Sequence, residues 1–254
     1  MLLNIKTLYG HQLAASDGDI GHVKDFYFDD VTWVVRYLVA ETGNWLSGRP
    51  VLLSPHAFGL IEEDRKRMLV SLSREQIENS PPIESHQPVS REYEADYHRY
   101  YRWPAYWADG ALSESTDTPA GVPTSRDALD APQPQPHPHR GDRHLNSTHA
   151  VNGYAIRARD GILGHVTGFM VDDRSWVIHG LVVEAGHWYA GKEILIPTSS
   201  VTRISTLESL VFVDLPKADI EATAKLTVAH SSEDRDGDYD AVPGRPAEPM
   251  EARP

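Results

Sequence analysis

The chain has 254 residues, a formal net charge of −13 and no cysteine. Disulfides, thiolate metal sites and a cysteine nucleophile are therefore excluded. Lys and Arg are nowhere gathered in a block, so there is no positive footprint for a nucleic acid or for an anionic membrane surface.

The longest apolar runs, VVRYLVA from Val34 and GLVVEAG from Gly180, fall far short of the ~20 residues of a spanning helix. The N-terminal MLLNIKTLYGHQL holds one Lys and no apolar stretch of signal-peptide length. The reading is a soluble, cytoplasmic protein without membrane insertion.

In chain order, the first predicted strand is Gln12–Ala15. Ile20 to Phe28 follows, rich in β-branched and aromatic residues, and stops at Asp29-Asp30. Trp33 to Glu41 makes a second such run, so the acidic pair sits in a hairpin loop. After Gly43 come a short apolar run at Val51–Leu53 and strands near Phe58–Ile61 and Met68–Leu72. SREQIENS then predicts a short helix with Ser73 as N-cap.

Residues 81–150 lose this periodicity and read as a Pro- and aromatic-rich irregular linker, ending in the extended DAPQPQPHPHRGDRH. Residues 151–225 then repeat residues 1–80. Every position from Gly10 to Glu78 has its counterpart 143 residues later, from Gly153 to Glu221, without a gap. The copies share GxxGHVxxF, the acidic pair, Trp33/Trp176, Glu41/Glu184, Gly43/Gly186 and Trp45/Trp188. Residues 226–254 are acidic and Pro-rich and read as a disordered tail. The expected class is mainly β: two small β-barrels, each closed by a short helix and packed as a pseudo-twofold pair.

The string D-G-x-x-G-H-V-x-x-F-x-x-D-D, then W-V, L-V and E-x-G-x-W, resembles the PRC-barrel family in both copies. That family includes the cytoplasmic part of the photosynthetic reaction-centre H subunit and the C-terminal domain of a ribosome-maturation factor. The resemblance implies a PRC-type barrel fold and a habit of docking onto other proteins. It implies a non-enzymatic interaction or scaffold module, with a reaction-centre-like electron-transfer component or a ribosome-associated factor as alternatives. Where the first copy has Asp25, the second has Gly168.

No residue set points to catalysis, a cofactor or a metal. Gly21, Gly164, Gly43 and Gly186 mark tight β connections. Asp29 and Asp172 suit turns whose side chains bond their own backbone. Trp33 and Trp176 belong to the shared structural motif. His22/His165 lack a second histidine at ligand spacing. Glu41 and Glu184 each precede a base by eight positions, Arg49 or Lys192, and are expected to pair with it across the loop. Candidate protein-interaction residues are the loop tryptophans Trp45 and Trp188, with Tyr97, Tyr101, Trp103 and Trp107 from REYEADYHRYYRWPAYW. Tyr93, Tyr97 and Tyr101 fall at helical spacing, so this segment is expected to pack on a barrel or across the interface rather than stay in water. The expected partner is another protein or a second copy, with peripheral contact to a membrane complex also compatible.

Overall fold

The computed structural model describes residues 1–81, 89–107, 145–186 and 193–219. The tail from 226, most of the connector, Trp188 and Lys192 lie outside them. Among the described residues no helix is long and apolar enough to cross a membrane.

The first half forms β1 (Leu2–Asn4), β2 (Gln12–Ala15), β3 (Gly18–Asp29), β4 (Val34–Glu41), β5 (Pro50–Leu53), β6 (Phe58–Glu62), β7 (Arg67–Val70) and helix α1 (Arg74–Glu78). Helix α2 (Arg91–Tyr101) follows. The second half forms β8 (Leu145–Ser147), α3 (Thr148–Val151), β9 (Ala155–Ala158), β10 (Gly161–Asp172), β11 (Ile178–Ala185), β12 (Glu193–Pro197), β13 (Val201–Ser205) and β14 (Leu210–Val213). All six strands expected in each copy are present, within a residue or two.

The two sheets have the same order, β5-β4-β3-β2-β7-β6 and β12-β11-β10-β9-β14-β13. In β3 the buried residues Ile20, Val23 and Phe26 recur every third position rather than every second. A register shift between Val23 and Asp25 inserts the extra residue, and β10 has the same shift between Val166 and Gly168. Such bulges coil a strand. The coiling does not close the ladder. The chain leaves β5 through a single turn at Pro55–Ala57, and β6 then pairs with β7, so β5 and β6 stay opposite edges of the sheet. The expected closed barrels are thus two open, seven-stranded sheets.

Each seventh strand comes from the other half. β1 pairs antiparallel with β10 (Leu3 opposite Val171), and β8 pairs with β3 (Asn146 opposite Phe28). Between the arms, Val34 and Val177 form a bridge. Val35 N–H donates to Trp176 O at 2.9 Å and Ile178 N–H to Trp33 O at 2.7 Å. These partners exchange roles under the offset of the repeat, which makes the contact a pseudo-twofold axis. One hydrophobic core runs through both halves: Trp176 stacks on Phe26 at 5.8 Å, and Phe28 meets Phe169 at 5.4 Å.

The shared residues build this frame. Asp29 Oδ1 accepts the N–H groups of Val31 and Thr32, and Asp172 Oδ1 those of Arg174 and Ser175. The turn then takes Trp33 and Trp176 into the left-handed region, at φ 58° and 57°. That conformation is uncommon for a bulky residue. Here it aims each tryptophan carbonyl at the opposite half. Asp17 and Asp160 accept the backbone N–H of Arg74 and Lys217, fixing the start of the closing helix in both halves. In the second half that helix is described only for Lys217–Asp219.

The irregular linker expected over 81–150 needs correction at both described ends. Residues 91–101 are helical, and 145–151 fold as the counterpart of residues 2–8. The Asp25/Gly168 difference is explained here. Asp25 accepts hydrogen bonds from the hydroxyls of Ser147 and Thr148 and from His149 N–H, holding the incoming arm. A Cβ on Gly168 would lie 2.6 Å from Asn4 Oδ1, so the other arm needs a glycine beneath it.

Two outcomes follow. Added Cβ atoms at Gly21 and Gly164 would sit 2.0 Å from the carbonyl oxygens of Glu41 and Glu184. Gly21→Ala or Gly164→Ala should cost about 1–3 kcal/mol, read as a lower urea midpoint. Asp25→Ala strips three hydrogen bonds from the β8–α3 arm and should cost about 1.5–3 kcal/mol, with faster amide exchange at Asn146–Ala150 in deuterium-exchange mass spectrometry.

Candidate interaction surfaces

Helix α2 starts at Ser90, whose hydroxyl accepts Tyr93 N–H at 3.2 Å, and stops at Arg102 in the left-handed conformation. Its tyrosines at i, i+4 and i+8 form one stripe. The stripe lies against the outer face of β4 and β5, over Tyr37, Val39 and Leu52. Tyr97 is fully buried, and its hydroxyl donates to Leu52 O at 2.6 Å. Tyr101 stacks on Trp103 at 4.5 Å, and Trp107 meets His98 edge-on at 5.1 Å. Tyr93 donates to Pro81 O and Tyr100 to Gln76 O. The segment therefore packs on the first sheet, as expected of a tyrosine stripe. Each such aromatic pair contributes about 0.5–1.5 kcal/mol beyond area burial.

A polar cluster lies beneath α2. Glu94 is fully buried; it accepts from the hydroxyls of Tyr37 and Tyr106 and pairs with Arg91 at 3.0 Å. The Arg36 guanidinium lies 3.8 Å over the Tyr106 ring. His98 is nearly buried, with Nδ1 donating to Pro104 O at 2.9 Å and Nε2 against the Tyr37 hydroxyl at 3.1 Å. Burial and the Glu94 carboxylate push the Tyr37 phenol far above its usual range, and burial does the same for Tyr106. Burial holds His98 below its usual value; the guanidinium groups of Arg36 and Arg91 act the same way, and the bond to Pro104 O opposes them.

Trp45 is half-buried. Its indole N–H donates to Ile20 O at 2.8 Å, and the Arg74 guanidinium lies 4.5 Å over its ring. Trp188 lies outside the described residues. The strands around Glu41 do pair, with Glu41 opposite Pro50, but the charges do not meet. Arg49 donates to the carbonyls of Ile77 and Glu78 that end α1, and Glu41 pairs with Lys24 at 3.6 Å. Across the strands Glu41 faces His22 and Glu184 faces His165, the latter pair at 3.4 Å and half-exposed. An exposed pair of this kind contributes about 0–1 kcal/mol. No cluster of three or more metal-ligating side chains occurs among the described residues.

One concave surface lies between the halves. A groove of about 760 Å³ is lined by Leu60, Ile61, Glu62, Asp64 and Arg65 of the first half and by Asp173 and Arg174 of the second. Leu60 is 66% exposed there, an apolar residue ringed by charge. The related position on the other side holds a smaller groove of about 180 Å³, formed by Asp30, Val31, Trp33 and residues 201–204.

Comparison with known families places a PRC-barrel domain at residues 4–77. That span covers β2 to α1, including Gly21, Asp29, Trp33 and Glu41, and it suggests a protein-interaction module. No curated protein matches the chain.

The neutral, buried His98 sets a pH dependence. Undocked, it titrates near 6.5; docked, it titrates lower. The stabilisation it gives is therefore complete above pH ~6.5 and is lost as pH falls through the docked value. Acidification from pH 7.5 to 5 should raise protease cleavage within 91–107 and change Trp103 and Trp107 fluorescence, with a smaller response in His98→Asn.

Proposed function

We propose that the protein is a non-enzymatic scaffold in which two PRC-type units, locked by exchanged strands, present one inter-half groove to a protein partner. The observation that carries the reading is the groove at Leu60. It joins surfaces of both halves, so it exists only in the assembled pair. An exposed leucine rimmed by Glu62, Asp64, Arg65 and Arg174 has the makeup of an interface anchor with a polar rim. The PRC-barrel match over residues 4–77 supports the same class of role. The aromatic segment 93–107 is a poorer docking surface, because Tyr97 is buried within the chain and Tyr101 and Trp103 pack on the core.

Cross-linking of the full-length chain in its host cell, followed by identification of the captured protein, tests this reading. Leu60→Asp, on an exposed strand position, should leave the fold intact and lower recovery of the specific partner about tenfold or more. Unchanged recovery with Leu60→Asp and with Arg174→Glu removes the groove as the docking site. A membrane electron-transfer protein or a ribosomal protein as the captured species would redirect the role to one of those assemblies.

A further inference from the structure

The duplication gives each edge of one sheet a reference in the other, and one edge departs from it. β5 and β12 are corresponding edge strands. In the first half α2 covers β5: Leu52 is 1% exposed, and its carbonyl accepts from the Tyr97 hydroxyl at 2.6 Å. The counterpart of Leu52 on β12 is Leu195, which is 38% exposed. Among the described residues no counterpart of α2 follows the second copy. Nor does the sequence repeat the stripe: at the offset of the repeat, Tyr93, Tyr97 and Tyr101 correspond to Asp236, Asp240 and Gly244.

β12 is also a regular edge. Over Glu193–Pro197 it pairs with β11 without a register shift, whereas the edge strand β6 has one between Phe58 and Ile61. Pro197 shows which of its backbone groups face out. A proline in a sheet sits where its missing N–H points away from the neighbouring strand, and this orientation alternates along an antiparallel strand. Glu193 and Leu195 therefore turn their N–H and C=O groups outward with Pro197, as Leu52 turns its carbonyl toward Tyr97. An open edge of this kind is a template for another strand.

We propose that β12 pairs with β12 of a second copy, antiparallel and centred on Leu195, to make one continuous sheet across a twofold axis. Each Leu195 then exchanges both backbone bonds with its twin, and each Glu193 N–H donates to the Pro197 carbonyl across the axis. Charge and proline select this register. A shift toward Glu193 would set two carboxylates diagonally across the joint, where like charges repel. A shift toward Pro197 would put its missing N–H opposite Leu195. In the centred register each glutamate faces a proline, and the two exposed leucines pair. The joint uses no residue of the groove at Leu60 and goes beyond the scaffold reading.

Sedimentation equilibrium of the full-length chain at neutral pH tests it. An edge of five residues is smaller than a standard interface, so a reversible dimer with a Kd of about 10–100 µM is expected. Leu195→Lys, at an exposed edge position, should raise that Kd about tenfold or more with the urea midpoint unchanged. The native chain has no cysteine, so single substitutions locate the contact. With a short bismaleimide, Leu195→Cys should cross-link to a dimer, and Ile162→Cys, 46% exposed on β10, should not. The cysteine pair keeps the test decisive if the lysine variant does not fold. A monomer at about 500 µM, well above the expected Kd, overturns the proposal. So does a dimer indifferent to Leu195→Lys, or one that cross-links equally well through Ile162→Cys.

Discussion

The structure depends on a pair of backbone hydrogen bonds. Val35 to Trp176 and Ile178 to Trp33 join the halves where the repeat meets itself. Neither bond forms unless the preceding turn places a tryptophan in the left-handed conformation. That in turn depends on Asp29 or Asp172 occupying the turn's N–H groups. The echoed aspartates and tryptophans are therefore parts of one joint. Once it is set, the arms β1 and β8 find the edges of β10 and β3, and Trp176 enters the core against Phe26. A unit of about 75 residues buries a marginal core by itself; the joint makes two such cores continuous.

The copies then diverge around a common frame. The first half carries Tyr37 on β4, whose hydroxyl reaches Glu94 and His98 of α2. The second has Gly180 there, and Leu195 lies so close that a Cβ on that glycine would be 2.8 Å from its Cδ1. One face recruits a helix through a buried polar cluster, and the other covers itself with a leucine that stays 38% exposed. A buried carboxylate such as Glu94 adds little net stability, yet it is costly to leave unpaired. Its role is to fix where α2 sits.

The six strands of each copy were legible because β-branched and aromatic runs recur at one offset with acidic turns between them. The helical spacing of Tyr93, Tyr97 and Tyr101 pointed to a segment that packs on the fold, although the surrounding composition read as an irregular linker and hid α2 itself. Four features were not legible. The exchanged arms are three residues long, and β1 and β8 share only Leu2/Leu145, so no pattern distinguishes pairing within a half from pairing across. Closure of the sheet depends on where β6 goes after Pro55, which residue types do not encode. Arg49 and Glu41 looked like partners because their strands pair, but the carbonyls at the end of α1 offered the guanidinium nearer acceptors. The groove at Leu60 escaped notice for a related reason: it is assembled from two segments more than a hundred residues apart.

The exchanged arms also order events in time. Leu2–Asn4 are made long before their partners Met170–Asp172, which lie far downstream in the sequence. Contacts of such long sequence separation close slowly, because the loop entropy must be overcome before any bond rewards it. The first half must therefore wait on the ribosome with the β3 edge open and Phe28 lacking its neighbour Phe169. An apolar, unpaired strand in a nascent chain invites association with other chains. For this protein the hazardous interval is set by the distance between the copies, and every residue added to the connector lengthens it.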